Sequence, residues 1–192
     1  MKKITLALFL FFVSLGINAK DTLRKHIIKI NYLSPLAGSC SVFYERNIAP
    51  NISINAGLGY VGPSFIISDN QTVAKGISIM PEIRFYFRKQ QQQQQMQGFY
   101  ISPFLRYRNL SIIARDDFAV IVNKKYIALG VGVMVGQQWI IQNRVTADIW
   151  GGLGHNFSNR TYNRSNEPYE YIMLTGMLGY AFRFGATLGV AF

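Results

Sequence analysis

The chain is poor in the residues from which most enzymes build their chemistry. Cys40 is the only cysteine among 192 residues, so no intrachain disulfide can form. The two histidines, His26 and His155, stand far apart, with no carboxylate cluster at ligand spacing, so a metal centre is not expected. Acidic residues are scarce: nine, against twenty Lys and Arg, for a net charge of +11. The basic residues are dispersed, with no basic run and no stacking platform, so nucleic acid is not an expected partner. Beyond the first stretch of the chain no run approaches roughly 18 consecutive apolar residues, so no transmembrane helix is expected. No cofactor is implied.

What is present begins with "MKKITLALFLFFVSLGINAKD". Lys2 and Lys3 precede an apolar run from Ile4 to Gly16, and Ala19 precedes a polar stretch. These are the three parts of a secretory signal peptide, and the run is too short to span a bilayer as a helix. The expected division is therefore a signal peptide over 1–19 and one domain over 20–192, a mature chain of 192 − 19 = 173 residues. "LAGSC" resembles a lipidation box, but its cysteine lies more than twenty residues past the apolar run, and Cys40 reads as a small strand residue.

A period of two then runs through the mature chain. In "GISIMPEIRFYFR" the odd positions are Ile77, Ile79, Pro81, Ile83, Phe85 and Phe87. The even positions include Ser78, Glu82, Arg84 and Tyr86. Such alternation is the mark of a β-strand with two unlike faces. It recurs from His26 ("HIIKINYL"), Ser39 ("SCSVFYER"), Ile52 ("ISINAGLGY"), Phe99 ("FYISPFLRYR"), Tyr126 ("YIALGVGVMVGQ"), Val145 ("VTADIWGGL") and Phe182 to the end, making eight strands.

One face is apolar nearly end to end; the other is Gly, Ser, Asn, Tyr and isolated charges. A soluble sandwich would spread Lys and Glu over its polar face and use few glycines there. A small transmembrane barrel needs the reverse arrangement, with an apolar outside and a crowded polar inside. Closure also satisfies the edge groups that an open sheet would leave bare in lipid. The expected fold is an all-β, eight-stranded, antiparallel up-and-down transmembrane barrel. Every second link is short, as in "NIAPN" (47–51) and "IQN" (141–143), with the glutamine tract over 90–97 as an exception. The intervening links are expected to be longer: 62–75, about 15 residues from Asn109, and a polar stretch from Asn156 into the 170s. The outer link "SPLAGS" breaks that trend.

The inward charges are then Lys29, Glu45, Glu82, Arg84, Arg106, Arg108, Asp148 and Arg183. An unpaired charge in a low-dielectric lumen is costly, so they are expected to pair, Lys29 facing Glu45 or its neighbour, and to block passive flow. Basic residues exceed acidic ones among them. Lys75, Arg115, Lys124, Lys125, Arg160 and Arg164 fall in or beside the long links, which suits anionic lipid headgroups or lipopolysaccharide.

The stretches "INYLSPLAGSCSVFYERNIAPNISINAGLGYVG", "PEIRFYF", "GFYISPFLRYR" and "VGVMVGQQWIIQNRVTADIWGGLGHNF" resemble a family of small uncharacterised outer-membrane β-barrels, a domain of unknown function. The "YER…N" and "GQQW…N" turns are its more specific marks. The resemblance implies the fold and the bacterial outer membrane, and no established activity. The terminal "GATLGVAF" resembles the signal read by the barrel-assembly machinery, with Phe192 as its last aromatic and Leu188 as its upstream apolar residue. Val190 stands where an aromatic is often found. The architecture is similar to the membrane barrel of outer membrane protein A, whose lumen ionic pairs close. A monomeric barrel of structural or binding type is the leading expectation.

Two other functions compete. Some small barrels deacylate lipid A with His, Ser and Glu on the lipid-facing rim, and "GHNFSNR" bears a short resemblance, with His155, Ser158 and Glu167 as candidates. A nucleophile and its base must lie within hydrogen-bond reach. A spacing of three in a strand puts His155 and Ser158 on opposite faces, so no enzyme is expected. A narrow pore for small solutes is the third reading; eight strands leave space for side chains and little else.

Overall fold

Alternation of this kind folds only as strands, because only an extended backbone sends successive side chains to opposite faces. The structure is a computed structural model and describes residues 24–62, 72–87, 96–115, 121–162 and 182–192. The strands are β1 (His26–Asn31), β2 (Ser39–Ala49), β3 (Ile52–Val61), β4 (Thr72–Phe87), β5 (Gly98–Arg115), β6 (Ile121–Ile141), β7 (Val145–Tyr162) and β8 (Arg183–Ala191). Each pairs antiparallel with the next, and β1 pairs with β8 to close the barrel. The described residues include no α-helix; one 3-10 turn, Ser34–Ala37, links β1 to β2.

The two faces separate as the alternation requires. Ile28, Ile30, Val42, Ile54, Leu58, Ile83, Leu105, Val133, Val135, Ile149 and Leu188 are exposed on the outside. Lys29, Glu45, Asn55, Glu82, Arg84, Gln138, Asp148 and Thr187 are buried inside. The wall is therefore inverted: an ionic set lies in the core and aliphatic side chains cover the outside.

Three connections are shorter than the pattern suggests. β4 already begins at Thr72, β7 runs to Tyr162, and β5 and β6 extend to Arg115 and back from Ile121. The segment expected as a loop of about 15 residues from Asn109 is mostly a hairpin paired from Asn109↔Ile127 to Arg115↔Ile121. A hairpin beyond an apolar belt has no reason to keep one greasy face. Its residues mix Ile with Lys and Arg, and the period of two fades although the ladder continues.

The short-turn end of the barrel wall is pinned, where the Ala191 N–H donates to the Arg144 carbonyl at 2.7 Å. At β6–β7, three residues link Ile141 to its partner Val145; Gln142 and Asn143 take φ of 50° and 57°, and the Arg144 N–H donates to the Ile141 carbonyl at 3.0 Å, closing a tight left-handed turn. Across the seam, the Phe192 N–H donates to the His26 carbonyl at 2.8 Å, and the two rings stack at 5.6 Å. His26 also hydrogen-bonds the Tyr44 hydroxyl at 2.7 Å. Arg24 donates to the Ala191 carbonyl at 2.6 Å. Desolvation first, and the Arg144 charge second, hold the Arg24 pKa below the usual arginine value.

Candidate functional site

The inward rows of neighbouring strands bring charges from distant parts of the chain to one level. Glu45 lies opposite Asn55, Asn55 opposite Glu82, and Ser53 opposite Arg84. Gln138 lies opposite Asp148, which lies opposite Thr187. Lys29 enters from β1 opposite Phe43 and reaches diagonally to Glu45. Gly189, on its other side, leaves the Lys29 stem room: a Cβ there would lie 2.6 Å from Lys29 Cγ.

Arg84 is the hub. Its Nη1 meets Asp148 Oδ2 at 2.8 Å and Glu45 Oε2 at 3.4 Å, and its Nη2 meets Glu82 Oε2 at 3.3 Å. The guanidinium lies over the Tyr100 ring, 4.3 Å from its centroid. Lys29 Nζ bridges Glu45 Oε2 at 2.5 Å, Asp148 Oδ2 at 3.4 Å and Gln138 Oε1 at 2.9 Å. Arg183 Nη2 holds Glu82 Oε1 at 3.0 Å, its guanidinium stacked against Phe104 and Trp150.

Neutral donors complete the carboxylates. Glu45 Oε1 accepts from the Tyr86 hydroxyl at 2.6 Å and from Ser53. Tyr100 donates to Asp148 Oδ1 at 2.9 Å, and Asn55 donates to Glu82 Oε2 at 2.7 Å. Every carboxylate oxygen of the three acids thus has a partner. Burying six charges costs several kcal/mol per ion, and only such saturated geometry offsets it. The set is also neutral: Lys29, Arg84 and Arg183 against Glu45, Glu82 and Asp148. The other inward bases, Arg106 and Arg108, sit further along β5.

Side chains fill the level beside the network by lying over glycines. Phe43 covers Gly57, Phe104 covers Gly132, and Trp150 covers Gly185; a Cβ on any of the three would come within 2.5 to 2.6 Å of the ring. Phe43 and Trp150 meet edge to face at 6.5 Å. What the arrangement does physically is exclude water from the barrel's middle while keeping charge there. The three acids and all three bases are at most 6% exposed.

Six of the eight inward charges expected to pair meet there: Lys29, Glu45, Glu82, Arg84, Asp148 and Arg183. Arg106 lies at the register of Gly130, on the long-connection side of the network. Tyr86, Tyr100, Ser53 and Asn55 join the network from the polar faces of their strands, and Gln138 joins it one residue beyond the alternating stretch that starts at Tyr126. At the terminal strand, Leu188 and Phe192 are exposed on the outside and Val190 is half-buried.

The expected separation of His155 and Ser158 needs correction. The β6–β7 register shifts: Asn156 pairs with Gly130, but Ser158 pairs with Leu129. Phe157 is the extra residue of a bulge, so the period of two is interrupted between them. His155 is exposed opposite Val131, and Ser158 takes a register position opposite the outward Leu129. Glu167 lies outside the described residues, as do residues 1–19, expected as a signal peptide, and most of the glutamine tract.

No curated protein and no solved structure matches the chain. A family described as a protein of unknown function (DUF3575) matches residues 5–175, a span that takes in β1 to β7, and the chain belongs to that family.

Proposed function

We propose that the protein is an outer-membrane β-barrel of structural or binding type, exported by a signal peptide over 1–19, with a lumen closed by an ionic plug. The observation that carries this is the inversion of its faces. Aliphatic side chains surround the described barrel wall, and a lipid phase makes that arrangement favourable. Aromatic residues at the short-turn end support it: Phe87 and Phe99 pack at 5.9 Å beside the outward Phe85 and Trp139. Rings at that level suit a membrane interface. Insertion by the barrel-assembly machinery fits the terminal strand, where Leu188, Val190 and Phe192 form the edge that closes on β1. The basic residues of the long-connection end fit contact with lipopolysaccharide.

The mature protein is expected in the outer-membrane fraction and should migrate faster unboiled than boiled in detergent gels. Reconstituted in planar bilayers, it should show little steady conductance. Recovery as a soluble periplasmic monomer would overturn the membrane reading, and a large steady conductance would favour the pore.

The bulge at Phe157 favours one second reading, an acyl hydrolase acting at the membrane surface, because it brings His155 and Ser158 to outward register positions. The leading reading expects lipid A from cells making the protein to keep all its acyl chains by mass spectrometry. A chain lost with the natural sequence and kept with His155→Ala would put the hydrolase first.

A further inference from the structure

The short-turn mouth of the barrel holds an apolar side chain that belongs to no strand. Met96 lies in the β4–β5 connection, just before Gly98 opens β5, and is 0% exposed. Outward apolar residues at this end, such as Phe87, Phe99 and Ile141, are 60%, 47% and 53% exposed, so Met96 is inside the mouth and not against the outer wall. It joins the buried cluster that includes Ile27, Tyr86, Tyr100 and Ala191. The other connections at this end are bare turns, 50–51 between β2 and β3 and 142–144 between β6 and β7. Joining two neighbouring strands needs no more. The β4–β5 connection, 88–97, is longer, and its tail returns to the lumen at Met96.

Two features hold that tail. Gly98 has φ of 115°, a conformation that residues with a Cβ rarely adopt, at the point where the chain enters β5. Gln138, fully buried on β6, lies opposite Gly98, and its Nε2 donates to the Met96 carbonyl at 2.7 Å. The Oε1 of the same carboxamide accepts from Lys29 Nζ at 2.9 Å and from Arg84 Nη1 at 3.3 Å. Turned over, the amide would set N–H donors against an ammonium and a guanidinium and its oxygen against the Met96 carbonyl. One orientation alone meets Met96, Lys29 and Arg84 together. A single side chain thus ties the connection to the ionic hub.

We propose that Met96 is a stopper for the short-turn mouth, latched to the ionic plug through Gln138. A thioether suits the place, because it is apolar, unbranched and fills irregular gaps beside rings. The plug keeps water out by saturating charge; the stopper keeps it out by apolar contact. The mouth is therefore closed twice, by unlike means. With Met96 seated, the Gln138 oxygen is fixed toward the two cations. With Met96 withdrawn, Nε2 loses its acceptor and nothing holds the carboxamide to that orientation, so the withdrawal is felt at Lys29 and Arg84. The stopper rests on the closed barrel and its plug but not on the bilayer, so its failure and that of the membrane reading are separable.

The test uses the full mature barrel in detergent, its folded state monitored by the gel shift, with dilute hydrogen peroxide as the probe. Peptide mass mapping follows sulfoxide formation at Met96, with Met80 and Met134, buried on β4 and β6, as internal standards. In the folded parent, Met96 should oxidise far more slowly than in the urea-unfolded chain, because attack needs access to the sulfur. Gln138→Glu keeps acceptors for Lys29 and Arg84 but sets a carboxylate against the Met96 carbonyl. It should speed Met96 oxidation about tenfold, the effect of one lost hydrogen bond on the open population, and leave Met80 and Met134 as protected as before. Gly98→Ala should unseat Met96 in the same way from the backbone side. Met96 oxidising as fast in the folded parent as in the unfolded chain would mean that there is no stopper. Met96 as protected in both variants as in the parent would mean that there is no latch. Equal loss of protection at all three methionines would mean that the whole interior loosens together. Each of these results overturns the proposal.

Discussion

Arg84→Met should destabilise the barrel by roughly 3–5 kcal/mol, the cost of removing one partner from a buried ion network. Arg84 touches all three carboxylates of the plug. Without it, Lys29 is the described cation left to Glu45 and Asp148, and Arg183 the one left to Glu82. Methionine fills much of the volume, so the loss is chiefly electrostatic. The measurement is urea unfolding of the barrel in lipid vesicles, followed by the gel shift. The double variant Arg84→Met with Glu45→Gln should recover part of the loss, because it removes an uncompensated charge, and that coupling separates the ionic effect from packing. Bilayer conductance should rise in the single variant as water enters beside the freed acids. A loss under about 1 kcal/mol would instead match the range of solvated surface pairs. The lumen would then be wet, and the plug described above would not be a plug.

That network was partly legible in the residue order, and the part that was not has a physical reason. Alternation alone assigns Glu82 and Arg84 to one face, because a strand has no other way to arrange them. It also assigns Lys29, Glu45, Asp148 and Arg183 to the same interior once the barrel closes. Which of them touch depends on the stagger between strands, and no single strand encodes that. Lys29 shows the difference: its register partner is Phe43, yet its ammonium reaches Glu45. The uncharged members were harder to see. Tyr86 and Tyr100 look like filler in the sequence, and only the carboxylates waiting on Glu45 and Asp148 give their hydroxyls a task. The bulge at Phe157 was not visible at all, since nothing in "GHNFSNR" marks where one residue is left unpaired. The hairpin beyond Asn109 was missed for the opposite reason. It is a strand pair that does not need a two-faced pattern, so its residues carry no alternation.

Replacing Ile83 with Arg should cost about 2–4 kcal/mol, while the same change at Phe87 should cost about 0–1 kcal/mol. Both residues are exposed on the outside of β4, at 44% and 60%. In water neither substitution has a named mechanism for large damage, and each should fall within about 0.5 kcal/mol of the parent. Lipid changes that by depth. Phe87 sits with Phe99 at the short-turn rim. Ile83 is four residues further in, about 13 Å along the strand and, at the tilt of such barrels, about 10 Å from the rim. Against an apolar band about 25 Å tall, that places it near the middle, where a guanidinium has the longest reach to water. Ile83→Leu controls for shape and should cost little. The readout is unfolding in vesicles of fixed lipid composition, compared at the two positions. A cost at Ile83 that exceeds the cost at Phe87 by about 2 kcal/mol fits a hydrocarbon phase around β4. Equal, small costs at both positions would mean that water or protein covers this face, and the aliphatic belt would then need another partner than the bilayer.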